Sequence, residues 1–169
     1  MPLSTTRRIE LAMTKPLTVE INCLYSKLTF STETIESLFA EVFSLHRHDC
    51  SGNLSVVFLD RVAHSKIHGD FLRDFRPTDV ITFPSDPAEE LAGEICISVD
   101  QAIEESKERS IPLSRELTLY LIHGWLHLVG FDDKEEEDRR IMRREEEKAL
   151  SHVSELDLWP DFLLDSTHV

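Results

Sequence analysis

The segment 120–133, YLIHGWLHLVGFDD, sets His123 and His127 four residues apart inside an apolar run that Gly130 and then Asp133 bring to a close. Leu117, Leu119, Leu121, Ile122, Trp125, Leu126, Leu128 and Val129 make the run apolar nearly all round, which predicts a buried helix. Positions i and i+4 of a helix share a face, so both imidazoles aim at one spot. A glycine can end the helix in a left-handed turn, and the returning chain then carries Asp133 to that spot. Two readings fit buried histidines at this spacing: hydrogen-bonded core residues, or ligands of an ion. Burial favours the second, because each ring needs a polar partner and one metal serves both. Two imidazoles and a carboxylate suit one Zn2+ per chain, and three protein ligands leave the fourth tetrahedral position open, as in catalytic rather than structural zinc. A water held there has its pKa lowered to about 7. Zinc peptidases with this histidine spacing carry a glutamate directly after the first histidine as general base; here that position is Gly124, which disfavours a peptidase.

The rest of the chain reads as alternating elements. Strands are expected at 17–25, 53–59, 79–83 and 93–99, and helices at 33–45, 61–72, 100–108 and 134–150, besides the helix of the histidines. Asp100 and Ser114 are the expected caps of the helices that follow them. At 169 residues and 41% hydrophobic, the chain can bury one core and is too short for two full domains. The expected fold is therefore α+β: a single domain with a small mixed β-sheet of about four strands, covered by helices, with the metal-binding helix central in a zincin-like manner. Residues 1–16 read as a disordered lead-in, 17–151 as the folded domain and 152–169 as a C-terminal extension. Leu156, Leu158, Trp159, Phe162, Leu163 and Leu164 make that extension too apolar to be idle, and it is expected to fold back on the body. His46, His48, His64, His68, His152 and His168 lie off the motif and are expected at the surface. Glu135 with Arg139, Glu136 with Arg140, and Arg143 with Glu147 are expected to pair along a solvated helix face.

Three blocks carry a family resemblance. HGWLHLVGFD, residues 123–132, resembles the signature H-G-x-L-H-L-x-G-Y-D-H of the YbeY family, bacterial metal-dependent endoribonucleases of ribosomal RNA maturation. RPTDVITFP, residues 76–84, is similar to the family segment P-T-D/N-V-L-S-F-P, and AGEICIS, residues 92–98, to the strand that follows it. The blocks stand in the family's order, and the resemblance covers residues 17–150. The resemblance implies the same α+β fold, His123 and His127 as metal ligands acting in catalysis, and Asp133 where the family has a third histidine. The family's arginine near the metal falls on Leu72, so Arg73 beside it is the expected catalytic phosphate contact, with Arg76 the next nearest. Thr78 and Ser85 can add neutral contacts.

The implied function is a single-strand-specific, metal-dependent endoribonuclease in rRNA maturation, at the 3′ end of 16S rRNA, and in ribosome quality control. Two alternatives come from other classes: a ribosome-assembly binding factor with a structural or weakly active zinc, and a zinc hydrolase of another substrate class. The net charge of −14 excludes a broad basic surface for nucleic acid, so RNA contacts are expected to be local. The expected partner is a ribosomal RNA precursor presented by the small ribosomal subunit or its assembly factors, with neither DNA nor membrane involved. Cys23, Cys50 and Cys96 form no Cys-x-x-Cys pair, which fits a reducing cytoplasm. No stretch approaches the roughly 18 apolar residues of a membrane span, and Arg7-Arg8 precede no sustained apolar run.

Overall fold

The computed structural model describes residues 17–46, 52–86, 88 and 90–165. The expected lead-in, together with Cys50, His48 and His168, lies outside them. Strand β1 (Thr18–Cys23) is followed by a two-residue strand β2 (Leu28–Thr29), helix α1 (Thr32–Leu45) and strand β3 (Asn53–Leu59). Helix α2 (Arg61–Leu72), strands β4 (Val80–Phe83) and β5 (Leu91–Ser98), and helices α3 (Val99–Arg109), α4 (Leu113–Leu128) and α5 (Glu136–Glu155) complete the body. A short strand β6 (Leu163–Leu164) ends the described chain. The main sheet has the order β1-β3-β5-β4, with β4 the one antiparallel strand, so the sheet is mixed as expected.

Alternation along the central strands decides which side each helix covers. Leu54, Val56 and Phe58 of β3 and Ile95 and Ile97 of β5 join the main core with Ile35, Leu38, Phe39 and Val42 of α1, and with Leu117, Leu121, Ile122, Trp125 and Leu126 of α4. Each fully buried side chain of this kind contributes about 1.5–3 kcal/mol. Leu59 and Cys96 point the other way, to a smaller cluster with Ala63 and Ile67 of α2. Helix α4 is buried as its composition predicts.

Several local expectations are corrected. Ser98, not Asp100, caps α3, its Oγ accepting from Gln101 N at 3.4 Å. The Asp100 carboxylate accepts instead from Arg61 N at 2.7 Å and from the Tyr25 hydroxyl at 2.9 Å. Helix α4 starts one residue before Ser114, after Pro112, whose carbonyl takes the first amides. Helix α5 runs on to Glu155, through the boundary expected at 151. His64 is buried, not at the surface, with Nε2 3.1 Å from Cys96 O, and burial lowers its pKa. His46 and His152 join α1 to α5 through Glu145 (3.1 Å) and Glu41 (3.0 Å). None of the three expected i,i+4 pairs on α5 forms. Arg140 pairs with Glu137 one turn earlier, Arg139 turns back to the carbonyls of Asp133 and Lys134, and Arg143 has no ion-pair partner among the described residues.

The apolar tail folds back. Leu163 and Leu164 pair with Thr29 and Leu28, and Phe162 enters the core against Phe30 and Phe58, each ring centroid 5.4 Å away. The cause is the run of apolar side chains, but nothing in residues 24–30 announced the strand that receives it.

Candidate metal centre

Helix α4 ends where Gly130 takes φ +104°, a conformation that costs most residues but not glycine. Gly130 N then bonds His127 O at 3.1 Å and Phe131 N bonds Leu126 O at 3.0 Å, the paired closure of a Schellman turn. This turn has a direct effect on the first imidazole it meets. It brings Phe131 O to 3.1 Å from His127 Nδ1, so that ring nitrogen donates to the carbonyl. On the other ring, His123 Nδ1 donates to Glu146 Oε1 of α5 at 2.6 Å. With both Nδ1 atoms carrying protons, both Nε2 atoms present lone pairs, and these stand 3.0 Å apart. Two lone pairs at that distance repel unless a cation or proton sits between them. The Asp133 Oδ2 lies 3.6 Å from each Nε2. A tetrahedral zinc with bonds of about 2.0–2.1 Å separates its ligand atoms by about 3.3 Å, so the three atoms fit such an ion closely.

The surroundings are acidic. Burial pulls the His123 pKa down, but the hydrogen bond the ring donates to Glu146 and the charges of Asp79, Glu146 and Asp133 outweigh it, and the net shift is upward. Positive charge is thus favoured at this spot, the same bias that serves a metal. Burial, followed by the Glu94 charge, pushes the Cys96 thiol up to about 12, so Cys96 is not a thiolate ligand. Gly124 is required by packing: a Cβ there would meet Ile95 Cγ2 at 2.6 Å. The helix therefore lies too close to β5 for the glutamate that peptidases place at this position.

A cleft of about 610 Å³ opens beside His123, lined also by Thr78, Asp79, Tyr120, Arg109, Arg143 and Glu146. Thr78 is thus where a neutral contact can serve, whereas Ser85 is exposed and does not line the cleft. Arg73 is the left-handed C-cap of α2 at φ +56°, exposed and outside the cleft lining. Arg76 is also exposed and is held by Asp74 at 2.6 Å. Leu72, where the resemblance puts the family arginine, is 61% exposed.

Sequence reasoning missed Glu146, Asp79 and Arg139. Arg139 donates to Asp133 O at 3.1 Å and so steadies the loop that bears the candidate third ligand. Glu146 had a signal: Met142, Ala149 and Val153 are the inward stripe of α5, and a helical repeat carries Glu145 and Glu146 onto its edge.

Two imidazoles from one buried helix and a carboxylate from the turn beyond it, beside an open cleft on a mixed sheet, form a candidate metal site in a small α+β protein. The chain belongs to the family described as Endoribonuclease YbeY, whose model matches residues 20–154. It is 35% identical over 136 residues to Endoribonuclease YbeY of Protochlamydia amoebophila, covering 78% of this chain and 90% of that one. Against Endoribonuclease YbeY of Carboxydothermus hydrogenoformans it is again 35% identical over 136 residues, covering 78% and 94%. The fold also matches the solution structure of TM1509 from Thermotoga maritima, with a TM-score of 0.58 and 24% identity over 82% of this chain and 91% of that one.

Proposed function

We propose that this protein is a metal-dependent endoribonuclease that matures ribosomal RNA in the cytoplasm, with one Zn2+ held by His123, His127 and Asp133. The observation that carries this reading is the pair of Nε2 atoms 3.0 Å apart, with Asp133 facing both, in a chain of the endoribonuclease family. When bound, the ion supplies Lewis acidity and a water of lowered pKa. The protein supplies the geometry. Glu146 fixes the tautomer and orientation of His123, and Phe131 O does the same for His127. Gly124 leaves the position after His123 without the glutamate that zinc peptidases use as base, which sets this site apart from theirs. Thr78 offers a neutral donor to a phosphodiester in the cleft, and we assign Arg73, which has no ion-pair partner among the described residues, as a charged contact to the same RNA. The net charge of −14 opposes tight binding of free RNA, which supports a single-stranded precursor segment presented by the small subunit or its assembly factors. Among the described residues no helix is long and apolar enough to cross a membrane.

The test is cleavage of a structured ribosomal RNA precursor by highly purified wild type, His123→Ala and His127→Ala, with and without a chelator. Loss of a site worth several kcal/mol predicts a fall of about 100-fold or more in each variant, and a similar fall on chelation. If His127→Ala cleaves as fast as wild type, the nuclease reading fails and a binding role in ribosome assembly replaces it.

A further inference from the structure

A second cavity, of about 640 Å³, runs between α4 and α5 and shares Leu119, Arg143 and Glu146 with the metal cleft. Trp159, from the segment after α5, lines it together with Arg115 and Leu150. Nine arginines lie among the described residues. Six of them hold a carboxylate or a backbone carbonyl. In a chain this acidic, the three with no ion-pair partner among the described residues stand out: Arg73, Arg115 and Arg143. Two of these three line this one cavity.

We infer that the cavity is a subsite for a nucleotide of single-stranded RNA adjoining the one at the metal, with its base stacked on Trp159 and its phosphate met by Arg143 and Arg115. The inference rests on the endoribonuclease reading and deepens it. An aromatic wall with free guanidinium groups is how single strands are held without sequence readout. Continuity with the metal cleft puts the subsite on the path of the same strand. Glu146, Glu147 and Glu155 also line the cavity and outnumber the two arginines, so stacking rather than net charge carries the binding. Trp159 lies beyond residues 20–154, the part matched to the family, so the stacking wall comes from the segment after α5 while the two arginines come from the matched part.

The experiment measures kcat and KM on single-stranded oligoribonucleotides with the metal-loaded full chain, and Kd by tryptophan fluorescence with chelator present. Loss of one stacked base predicts a KM about 10-fold higher in Trp159→Ala, with kcat within about twofold, and recovery to within about threefold in Trp159→Phe. Arg115→Gln and Arg143→Gln are each expected to lower the salt slope of log Kd by about 0.7. Should Trp159→Ala fail to fold, Trp159→Phe and the two arginine variants decide the matter through KM and salt slope. Unchanged KM and salt slopes in every folded variant, with cleavage retained, overturn the subsite and leave the nuclease reading standing, as when the groove receives a protein partner instead. A wild type that neither binds nor cleaves the oligonucleotides overturns the subsite, whereas the nuclease reading falls only if cleavage of the structured precursor does not depend on His127.

Discussion

Glu146 sets which face of His123 is open to an ion. Its carboxylate, 2.6 Å from Nδ1, keeps the ring's proton on the side away from Asp133 and leaves the Nε2 lone pair facing Asp133 and His127. Removing such a supporting carboxylate typically weakens metal affinity about 10–100-fold. Glu146→Ala is therefore expected to lose zinc affinity by about that factor in competition with a chromophoric chelator, whereas Glu137→Ala, exposed on the same helix, stays at the wild-type value. His123, His127 and Asp133 were legible in the sequence because their relation is local: eleven positions and one helical turn fix it. Glu146 was not. It is 23 residues from His123, in the acidic run 145–147, and although the helical repeat turns Glu145 and Glu146 inward, only the packing of α5 decides that Glu146 meets His123 while Glu145 meets His46. The lone arginines were hidden for a related reason. Spacing offered Arg143 a partner in Glu147, but the folded helix leaves it unpaired.

At the scale of elements, periodicity placed four strands of the main sheet and all five helices, and the differences collect at their ends. Asp100 looked like a cap, yet its carboxylate serves Tyr25 and Arg61, a contact between distant elements that no local pattern encodes. The apolar tail was visible, but its acceptor was not, because two residues of β2 are too few to show alternation. Phe162 is the anchor of that tail, 5% exposed and set among Phe30 and Phe58. Truncating a buried phenylalanine costs about 3–5 kcal/mol, so Phe162→Ala is expected to lower the urea midpoint by that energy divided by the unfolding slope. An unchanged midpoint means the tail contributes nothing to the body's stability.

For the whole molecule, the excess of acids over bases leaves few fixed charges able to anchor RNA, and stability responds to pH through the few histidines taken from water. His64 is one of them, its pKa lowered by burial against β5. The folded form resists a proton that the unfolded chain accepts, so His64 adds no penalty well above pH about 6.5 and destabilises as pH falls below it, by up to about 1.4 kcal/mol per pH unit until the folded pKa is reached. In urea unfolding from pH 8 to 5, His64→Gln is expected to lose stability less steeply than wild type; parallel curves mean that His64 is protonated equally in both states. The pairing of Leu28 with Leu164 joins residues 136 positions apart. Every residue of the candidate metal site has been made by position 146, but the aromatic cluster cannot close until Phe162 has left the ribosome's exit tunnel. During synthesis the nascent protein thus acquires its two histidines, Asp133 and Glu146 before its core is sealed, and the faces of Phe30 and Phe58 that Phe162 covers stay open to solvent, chaperones and wrong partners for that interval.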